Sequence, residues 1–599
     1  MYVLFGAGEY AKFAVDFLGR QNIKYFVDNN CMKTGTEFMG IPVYYYNDKK
    51  SELDQYSIAI ATSDKYIGEI SEQLKKAGLT KYFVVKDMLI EHTKKKILER
   101  PDYISTYKKT MSWIEKNTVD GEGIINNTSL QKSYPEVTGY YIPTLIKWGY
   151  KETAIQYAKW LCLIQKPDGS WYDTEDKMPY VFDSAQILKG LLAVRDIYPY
   201  VDDNILKGCE WILTNMEASG RLKAPDNSIW NSKEYSELIH LYCLLPLVEA
   251  SEVFHIERYK KAAFSALNYY KENFIDNIME FGLLSHFYAY VIEALLDMGE
   301  IDIVRKAMSK LEKYQDETGK VPAYKDVDWV CSTGLFQLAL IWFRLGDLKH
   351  GKNAFEYACK LQNPSGGWYG SYAVVEDEKK INDYFPHSEI SWAAKYFLDA
   401  LYYKGIAEFN AQAHLFHERI DTTDGRYIEV KNLVHGVKNG RVLDIGCGKG
   451  CYLKNLLVEE PQNQYYAVDI SENVLKNIDV DVIIQKIGTS TNLPFPDRSF
   501  DMAYTCEALE HAVDIERAIK EMARVVKPGG KILIIDKNKE ALGAMEIEDW
   551  EQWFDEKELA DIMKQYCSEV IIHSAVAYEG KNDNLFSAWI GTLTSICLP

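Results

Sequence analysis

Three segments of the sequence repeat one turn: Gln165-Lys166-Pro167-Asp168-Gly169-Ser170-Trp171, Gln315-Asp316-Glu317-Thr318-Gly319 and Gln362-Asn363-Pro364-Ser365-Gly366-Gly367-Trp368. With weaker versions at Asp120-Gly121 and Asn215 to Gly220, and Asn277 to Gly282 filling a gap, about six units recur at roughly 40 to 60 residues, as in helix-pair repeats. An amphipathic helix precedes each turn, for example Glu152 to Gln165 or Asp302 to Gln315, and a more apolar helix with a polar or aromatic start follows it. The glycines are expected as helix C-caps. Six apolar helices inside six amphipathic ones predict a closed (α/α)6 toroid over residues 98–408, because each inner helix must be buried on nearly all sides. Their polar starts would ring one mouth. Tyr140, Asp183, His240, His286 and His387 are the candidates there for gripping a substrate by stacking and hydrogen bonding.

A chain of 599 residues exceeds one core, and the usual domain size predicts about three or four. Asp and Glu number 87 against 68 Lys and Arg, a formal net charge of -19 that repels nucleic-acid phosphates and anionic membranes. No nucleic-acid partner is expected. The 11 cysteines are scattered and form no Cys-x-x-Cys pair, which suits a reducing compartment and argues against a disulfide framework or structural zinc. No apolar run approaches the roughly 20 residues that span a bilayer, so no membrane insertion is expected and the chain reads as cytoplasmic. Oligomeric state is left open.

Residues 1–97 alternate short apolar strands with helical patterns. A strand from Met1 to Phe5 meets the turn Gly6-Ala7-Gly8, a helix follows, and a second strand from Ile23 to Val27 ends at Asp28. Strand, glycine turn, helix, strand, acid is the layout of a mononucleotide-binding unit, with Gly6, Gly8 and Asp28 as candidate contacts. Strands at Ile41 to Tyr46, Tyr56 to Ala61 and Tyr82 to Val85 complete a small sheet.

Residues 409–599 return to α/β alternation, with strands at Arg441 to Ile445, Tyr465 to Val468, Val482 to Gln485, Met502 to Cys506 and Lys531 to Ile535, and two more at the end. In Val442-Leu443-Asp444-Ile445-Gly446-Cys447-Gly448-Lys449-Gly450 an apolar strand runs directly into a glycine turn and a helix, where backbone can approach a ligand closely. The next strand ends in Asp469, a carboxylate placed to accept hydrogen bonds from both hydroxyls of a ribose. Turn and acid alone leave NAD and S-adenosylmethionine both open.

The segments Asn492-Leu493-Pro494-Phe495-Pro496-Asp497-Arg498-Ser499-Phe500-Asp501, Glu507-Ala508-Leu509-Glu510-His511 and Arg524-Val525-Val526-Lys527-Pro528-Gly529-Gly530-Lys531 separate the two. Together with the glycine turn they resemble the class I S-adenosylmethionine-dependent methyltransferases, specifically the broad type 11 group, over about residues 412–599. The resemblance implies a seven-stranded sheet whose final strand is antiparallel, closed by a hairpin of Ser568 to Tyr578 and Asn584 to Thr592, with S-adenosyl-L-methionine as cofactor. It places Asp444, Gly446, Gly448 and Gly450 at the methionine end, Asp469 on the ribose and Leu493 near adenine. Thr489 stands where relatives commonly carry an acid for the adenine amino group, so a hydroxyl or water would make that contact. Methyl transfer is an in-line displacement that depends mainly on alignment. A hydroxyl acceptor also needs a group to take its proton, and His511, Glu507 and Lys537 are the candidates. The plainer alternative is that Glu510 and His511 cap and tether a helix, and that Trp550 and Trp553 pack in the core rather than cover the acceptor.

The repeated turn resembles the Gln-x-x-x-Gly-x-Trp turns of terpenoid cyclases and protein prenyltransferases, a fold shared with polysaccharide lyases and uronate epimerases. The Asp-rich motifs of cyclases are missing, and Asp328, Cys331 and His387 have the wrong spacing for zinc, so no metal is expected. The first unit resembles the N-terminal nucleotide-binding unit of sugar acetyltransferases through Phe5-Gly6-Ala7-Gly8-Glu9, Tyr25-Phe26-Val27-Asp28-Asn29-Asn30 and Gly40-Ile41-Pro42-Val43. It supplies only one nucleotide-binding half, which favours a nucleotide-sugar over a dinucleotide. The expected chain is multidomain: an α/β Rossmann-like unit, the (α/α)6 toroid and a seven-stranded α/β class I methyltransferase. Its expected work is methylating a sugar or glycan intermediate in surface-polysaccharide or related biosynthesis, the first two units binding a saccharide or nucleotide-sugar. Two alternatives stay open: a toroid that itself epimerises or eliminates on an acidic sugar, and an assembly scaffold with a degenerate methyltransferase domain.

Overall fold

In a computed structural model of the protein, the described residues are 1–599 apart from 63, 89–101, 176, 224–236, 374–383, 542–550, 582–583 and 595–599. The expected boundary at 97/98, Trp230 and Trp550 lie outside them.

In the first unit, β1 (Tyr2–Phe5), β2 (Ile23–Asp28), β3 (Glu37–Phe38), β4 (Ile41–Tyr45), β5 (Ser57–Ile60) and β6 (Tyr82–Val84) form one sheet in the order β3-β4-β2-β1-β5-β6. Only β3 runs antiparallel to its neighbour. Alternate residues face opposite sides, as the period of a strand requires. Val3, Phe5 and Val27 pack in a core of this unit alone, whereas Leu4, Phe26 and Ala59 join the large core that continues into the helices. The unit is thus seated on the helical one.

Six helices carry the apolar segments that follow the repeated turns: α1 (Pro135–Lys147), α2 (Val181–Val194), α3 (Leu244–Phe254), α4 (Ser285–Asp297), α5 (Ser332–Arg344) and α6 (Ser391–Gln412). Each packs on the next, and α6 packs back on α1. The repeated turn explains the spacing of the others. Gly169, Gly319 and Gly366 have φ of 96°, 91° and 100°, and a Cβ on any of them would collide with a carbonyl of the following outer helix, at Lys207, Asn353 and Lys109 respectively. Only glycine meets both demands. Gln165, Gln315 and Gln362 donate from Nε2 to Asn204 O at 2.9 Å, His350 O at 3.0 Å and Thr106 O at 3.0 Å, across the same junctions. Trp171 and Trp368 donate back to Leu161 O at 2.7 Å and Ala358 O at 2.8 Å of the preceding helix. The glycines are therefore not helix C-caps as expected; the helix before Gly169 ends at Ile164, and the glycine is a docking point one turn further on.

In the third unit, β7 (Arg441–Ile445), β8 (Gln464–Asp469), β9 (Ile484–Ile487), β10 (Phe500–Cys506), β11 (Val526–Lys537), β12 (Cys567–His573) and β13 (Phe586–Leu593) form a seven-stranded sheet in the order β9-β8-β7-β10-β11-β13-β12. β13 is antiparallel to both neighbours, which gives the hairpin closure expected. The third strand lies two residues beyond Val482 to Gln485, because Asp469 pairs with Ile487 and this exposed edge has no buried face to fix an earlier register.

Helix α6 runs unbroken to Gln412, through the expected boundary at 408/409. Further contacts lock the third unit to the helices. The Arg517 guanidinium lies 3.5 Å from the Tyr150 ring centre and donates to Gly149 O at 2.8 Å, and Ser471 Oγ donates to Asn410 Oδ1 at 2.5 Å. Among the described residues no helix is long and apolar enough to cross a membrane.

Candidate functional site

The carboxyl ends of β7 and β8 build the floor of the site. Gly446 and Gly448, with φ of 72° and 52°, turn the chain out of β7, and a Cβ on Gly446 would collide with Ala508. Gly450, with φ 70°, begins the helix Cys451–Glu459 with its α-carbon towards Ile478, behind the cavity wall. Asp469 accepts from Gly448 N at 3.0 Å through Oδ2 and from Ser471 N at 2.9 Å through Oδ1. These bonds fix the carboxylate, and each oxygen keeps a lone pair for a further donor. Burial holds its pKa above the usual carboxylate range, against the pull of those amides. Asp444 accepts from Tyr504 Oη at 2.8 Å, and burial pushes it up to about 7.

Above this floor lies a cavity of about 460 Å³, within the size range of small-molecule sites. Asp444, Asp469, Glu507 and Glu510 line it against two lysines, Lys449 and Lys537, each already paired with a carboxylate, Glu418 at 3.2 Å and Glu510 at 2.5 Å. The donor set suits a cation. Close main-chain approach, a fixed carboxylate and an excess of acids fit an adenosyl sulfonium.

The expected proton acceptors differ in what holds them. His511 lines the cavity with Nδ1 buried and without a hydrogen-bond partner, while Nε2 lies 3.4 Å from Glu510 Oε1. Burial, then the Lys537 ammonium, push it down to about 4, so the ring is neutral. Lys537 is clamped by Glu510 and by Glu551 at 3.0 Å; burial alone would lower it, but these carboxylates and Asp536 hold it charged. It has no lone pair to offer and acts as a strut. Glu507 sits at φ 51° and accepts from Arg426 Nη1. Trp553 is buried and donates to Glu551 Oε1 at 2.7 Å, steadying the same cluster.

Thr489 lines the cavity, but its hydroxyl lies 3.4 Å from Lys147 O of the helical unit and 3.1 Å from Thr491 Oγ1. Leu493 is not on the cavity wall: it is buried in the core on one face of the sheet, with its amide donating to Glu521 Oε2 at 2.9 Å.

The polar residues expected around an open mouth of the helical unit are mostly core. Tyr140 and Tyr290 share a 3.4 Å hydroxyl contact, Tyr134 Oη donates to Asp183 at 3.3 Å, His240 Nδ1 lies 3.4 Å from Tyr270 Oη and His286 Nδ1 2.9 Å from Gln337 Oε1. Burial pushes both histidines down to about 3 and the Asp183 carboxyl up. The rings of His387 and Tyr10 of the first unit are 3.8 Å apart, so that unit covers this end. In the first unit itself, Asp28 accepts from Ala7 N at 3.1 Å, Asn30 N at 2.8 Å and Lys33 Nζ at 2.9 Å. Gly6, at φ 101°, packs against Ala61 O, and Gly8 has open space beside it.

Sequence reasoning missed the opposite wall. Trp148, Leu401, Tyr402, Gly405 and Phe409 line the cavity from the helices, with Phe416 just beyond α6, and Phe409 meets His511 edge-on at 5.3 Å. The only local signal was a glycine inside a helix.

Residues 443–534 match the model of the methyltransferase domain family. The chain is 36% identical over 107 residues to a demethylmenaquinone methyltransferase of Desulfitobacterium hafniense, covering 16% of this chain and 42% of that protein. It is 30% identical over 148 residues to an uncharacterized methyltransferase of Schizosaccharomyces pombe, covering 22% of this chain and 51% of that protein. The chain thus spans about half the length of the curated relatives it matches. Among solved structures, phosphoethanolamine N-methyltransferase 2 of Haemonchus contortus, in complex with S-adenosyl-L-methionine, is similar at 15% identity and a TM-score of 0.26, over 33% of this chain and 59% of that one. The third unit thus carries a methyltransferase domain, matched within residues 443–534.

Proposed function

We propose that the chain is a methyltransferase that moves a methyl group from S-adenosyl-L-methionine to a hydroxyl acceptor held in the cavity. The observation that carries this reading is the fixed Asp469 carboxylate beside the Gly446 to Gly448 turn, with the neutral ring of His511 on the wall of the same cavity. The bound cofactor supplies an electrophilic methyl on a positive sulfur with a neutral thioether as leaving group. Asp469 orients the ribose, and Asp444 with Gly446 and Gly448 holds the methionine end. His511, on the cavity wall, takes the acceptor proton, with its Nε2 3.4 Å from Glu510 Oε1. Lys537 keeps Glu510 in place.

A sugar or glycan intermediate, bound as a saccharide or nucleotide-sugar, is the acceptor class this reading favours. The unbroken ring of contacts from α1 to α6 and back supports an (α/α)6 toroid for the helical unit. The glycine turn and Asp28 support a nucleotide-binding unit before it. A cytoplasmic setting agrees with ten cysteines among the described residues, all unpaired. Titration of the full chain with S-adenosylhomocysteine tests the reading. The wild type should bind, and Asp469→Ala should lose at least about 100-fold in affinity, the cost of leaving a buried polar ligand group without its charged partner. Absence of binding by the wild type would favour a scaffold instead.

A further inference from the structure

Helix α6 belongs to two structures at once. Its first half is built into the helical ring, where Lys395 pairs with Asp399 at 2.9 Å and Thr144 of α1 donates to Asp399 at 2.9 Å. Its second half crosses the cavity of the methyltransferase domain. Leu401, Tyr402, Gly405, Phe409 and Gln412 all line that cavity, and their spacing of three and four puts them on one face along about 16 Å of helix. The face reaches from Trp148, which lines the cavity beside the Thr489 to Thr491 segment, to His511, which Phe409 touches. Phe416, a turn beyond the helix, reaches the glycine turn, 3.9 Å from where a Cβ on Gly448 would sit.

Gly405 is the odd residue on this face. A glycine inside a helix costs about 1 kcal/mol relative to alanine, and nothing in the backbone of α6 requires one there. A Cβ placed on it would meet nothing within 4 Å, although Lys404 before it and Ala407 two residues after it are buried. The space beside it is the cavity.

We infer that α6, with Trp148, is the fourth wall of the cofactor cavity, and that Gly405 is the size-determining position where this wall leaves room for the bound adenosyl group and its acceptor. The helical unit then completes the methyltransferase site and is more than a platform for it. This rests on the methyltransferase reading above.

Full-length wild type, Gly405→Ala, Gly405→Trp and Phe409→Ala are titrated calorimetrically with S-adenosylhomocysteine, and their thermal melts and circular dichroism are recorded. The wall predicts that Gly405→Ala melts higher than wild type and binds within about threefold of it. Gly405→Trp, with wild-type helicity, should lose at least about 30-fold in affinity, and Phe409→Ala about fivefold or more. If Gly405→Trp does not fold, Phe409→Ala alone decides. Wild-type affinity in a folded Gly405→Trp, or in Phe409→Ala when the former is unfolded, overturns the wall and leaves the methyltransferase reading standing. No binding by the wild type overturns that reading itself.

Discussion

Arg517 of the methyltransferase domain lays its guanidinium 3.5 Å from the centre of the Tyr150 ring and donates to Gly149 O at 2.8 Å, so one side chain joins a stacking contact and a hydrogen bond across the junction of two units. Tyr150 in turn donates to Asp514, beside Arg517, at 3.4 Å. Replacing Arg517 by Ala should cost about 2 kcal/mol, the sum expected of a desolvated cation-π contact and a charged hydrogen bond. Urea unfolding followed by tryptophan fluorescence and by far-ultraviolet circular dichroism reads this. Identical midpoints for variant and wild type would show that the junction gains nothing from this residue.

His511 is pushed down to about 4, below the usual imidazole value. A base with that pKa is deprotonated from about pH 5 upward, so kcat should stay level through pH 6.5, where a free imidazole titrates, and fall only towards pH 4. His511→Gln should lower kcat by about 100-fold or more at every pH, with S-adenosylhomocysteine affinity nearly unchanged. A wild-type profile that bends near 6.5 and a fully active His511→Gln would each contradict this role.

Lys537 sits among Glu510, Glu551 and Asp536, all buried or nearly so. Lys537→Met leaves buried carboxylates facing one another and should destabilise the protein by about 3 to 5 kcal/mol. The double variant Lys537→Met with Glu510→Gln should recover part of that loss. Chemical denaturation of both variants checks the order, and a double variant no more stable than the single would rule out a charge origin.

Gly366 combines φ 100° with contact against Lys109 O. Gly366→Ala must strain the backbone and push the helix Tyr103–Lys116 away, and should cost at least about 2 kcal/mol. Gly299, also at positive φ but with nothing near its α-carbon, is the control: Gly299→Ala carries only the backbone part, about 1 kcal/mol. Thermal melts of the two compare directly.

Much of this architecture is written in short stretches of sequence. The Gly446 to Gly450 turn and Asp469 follow apolar strands, so local pattern alone sets their place at the ends of β7 and β8. The seven-stranded sheet with an antiparallel final strand is likewise what the resemblance implies. What local pattern leaves out is which way a loop residue faces. Leu493 and Gly450 share their segments with cavity residues yet point into protein, because the neighbouring Glu521 and Ile478 come from distant positions. Tyr140, His240 and His286 look like surface polar groups from their helix positions, but partners on other inner helices or, for His240, on the outer helix Glu257–Ile278 satisfy them and permit burial. Trp148 and Phe409 are invisible as site residues for a stronger reason: their place on the cavity wall comes from packing between units, not from their own segments.

The contact of Gly366 with Lys109 has a consequence for how such a protein can change over time. Open solenoids lengthen by duplicating a repeat and need special end units with a polar outer face. In the (α/α)6 toroid proposed for the helical unit, the turn at Gly366 seats on the helix Tyr103–Lys116, so there would be no end to extend and no cap to maintain. Adding or deleting one helix pair would then leave a gap or a surplus, with size set by closure itself.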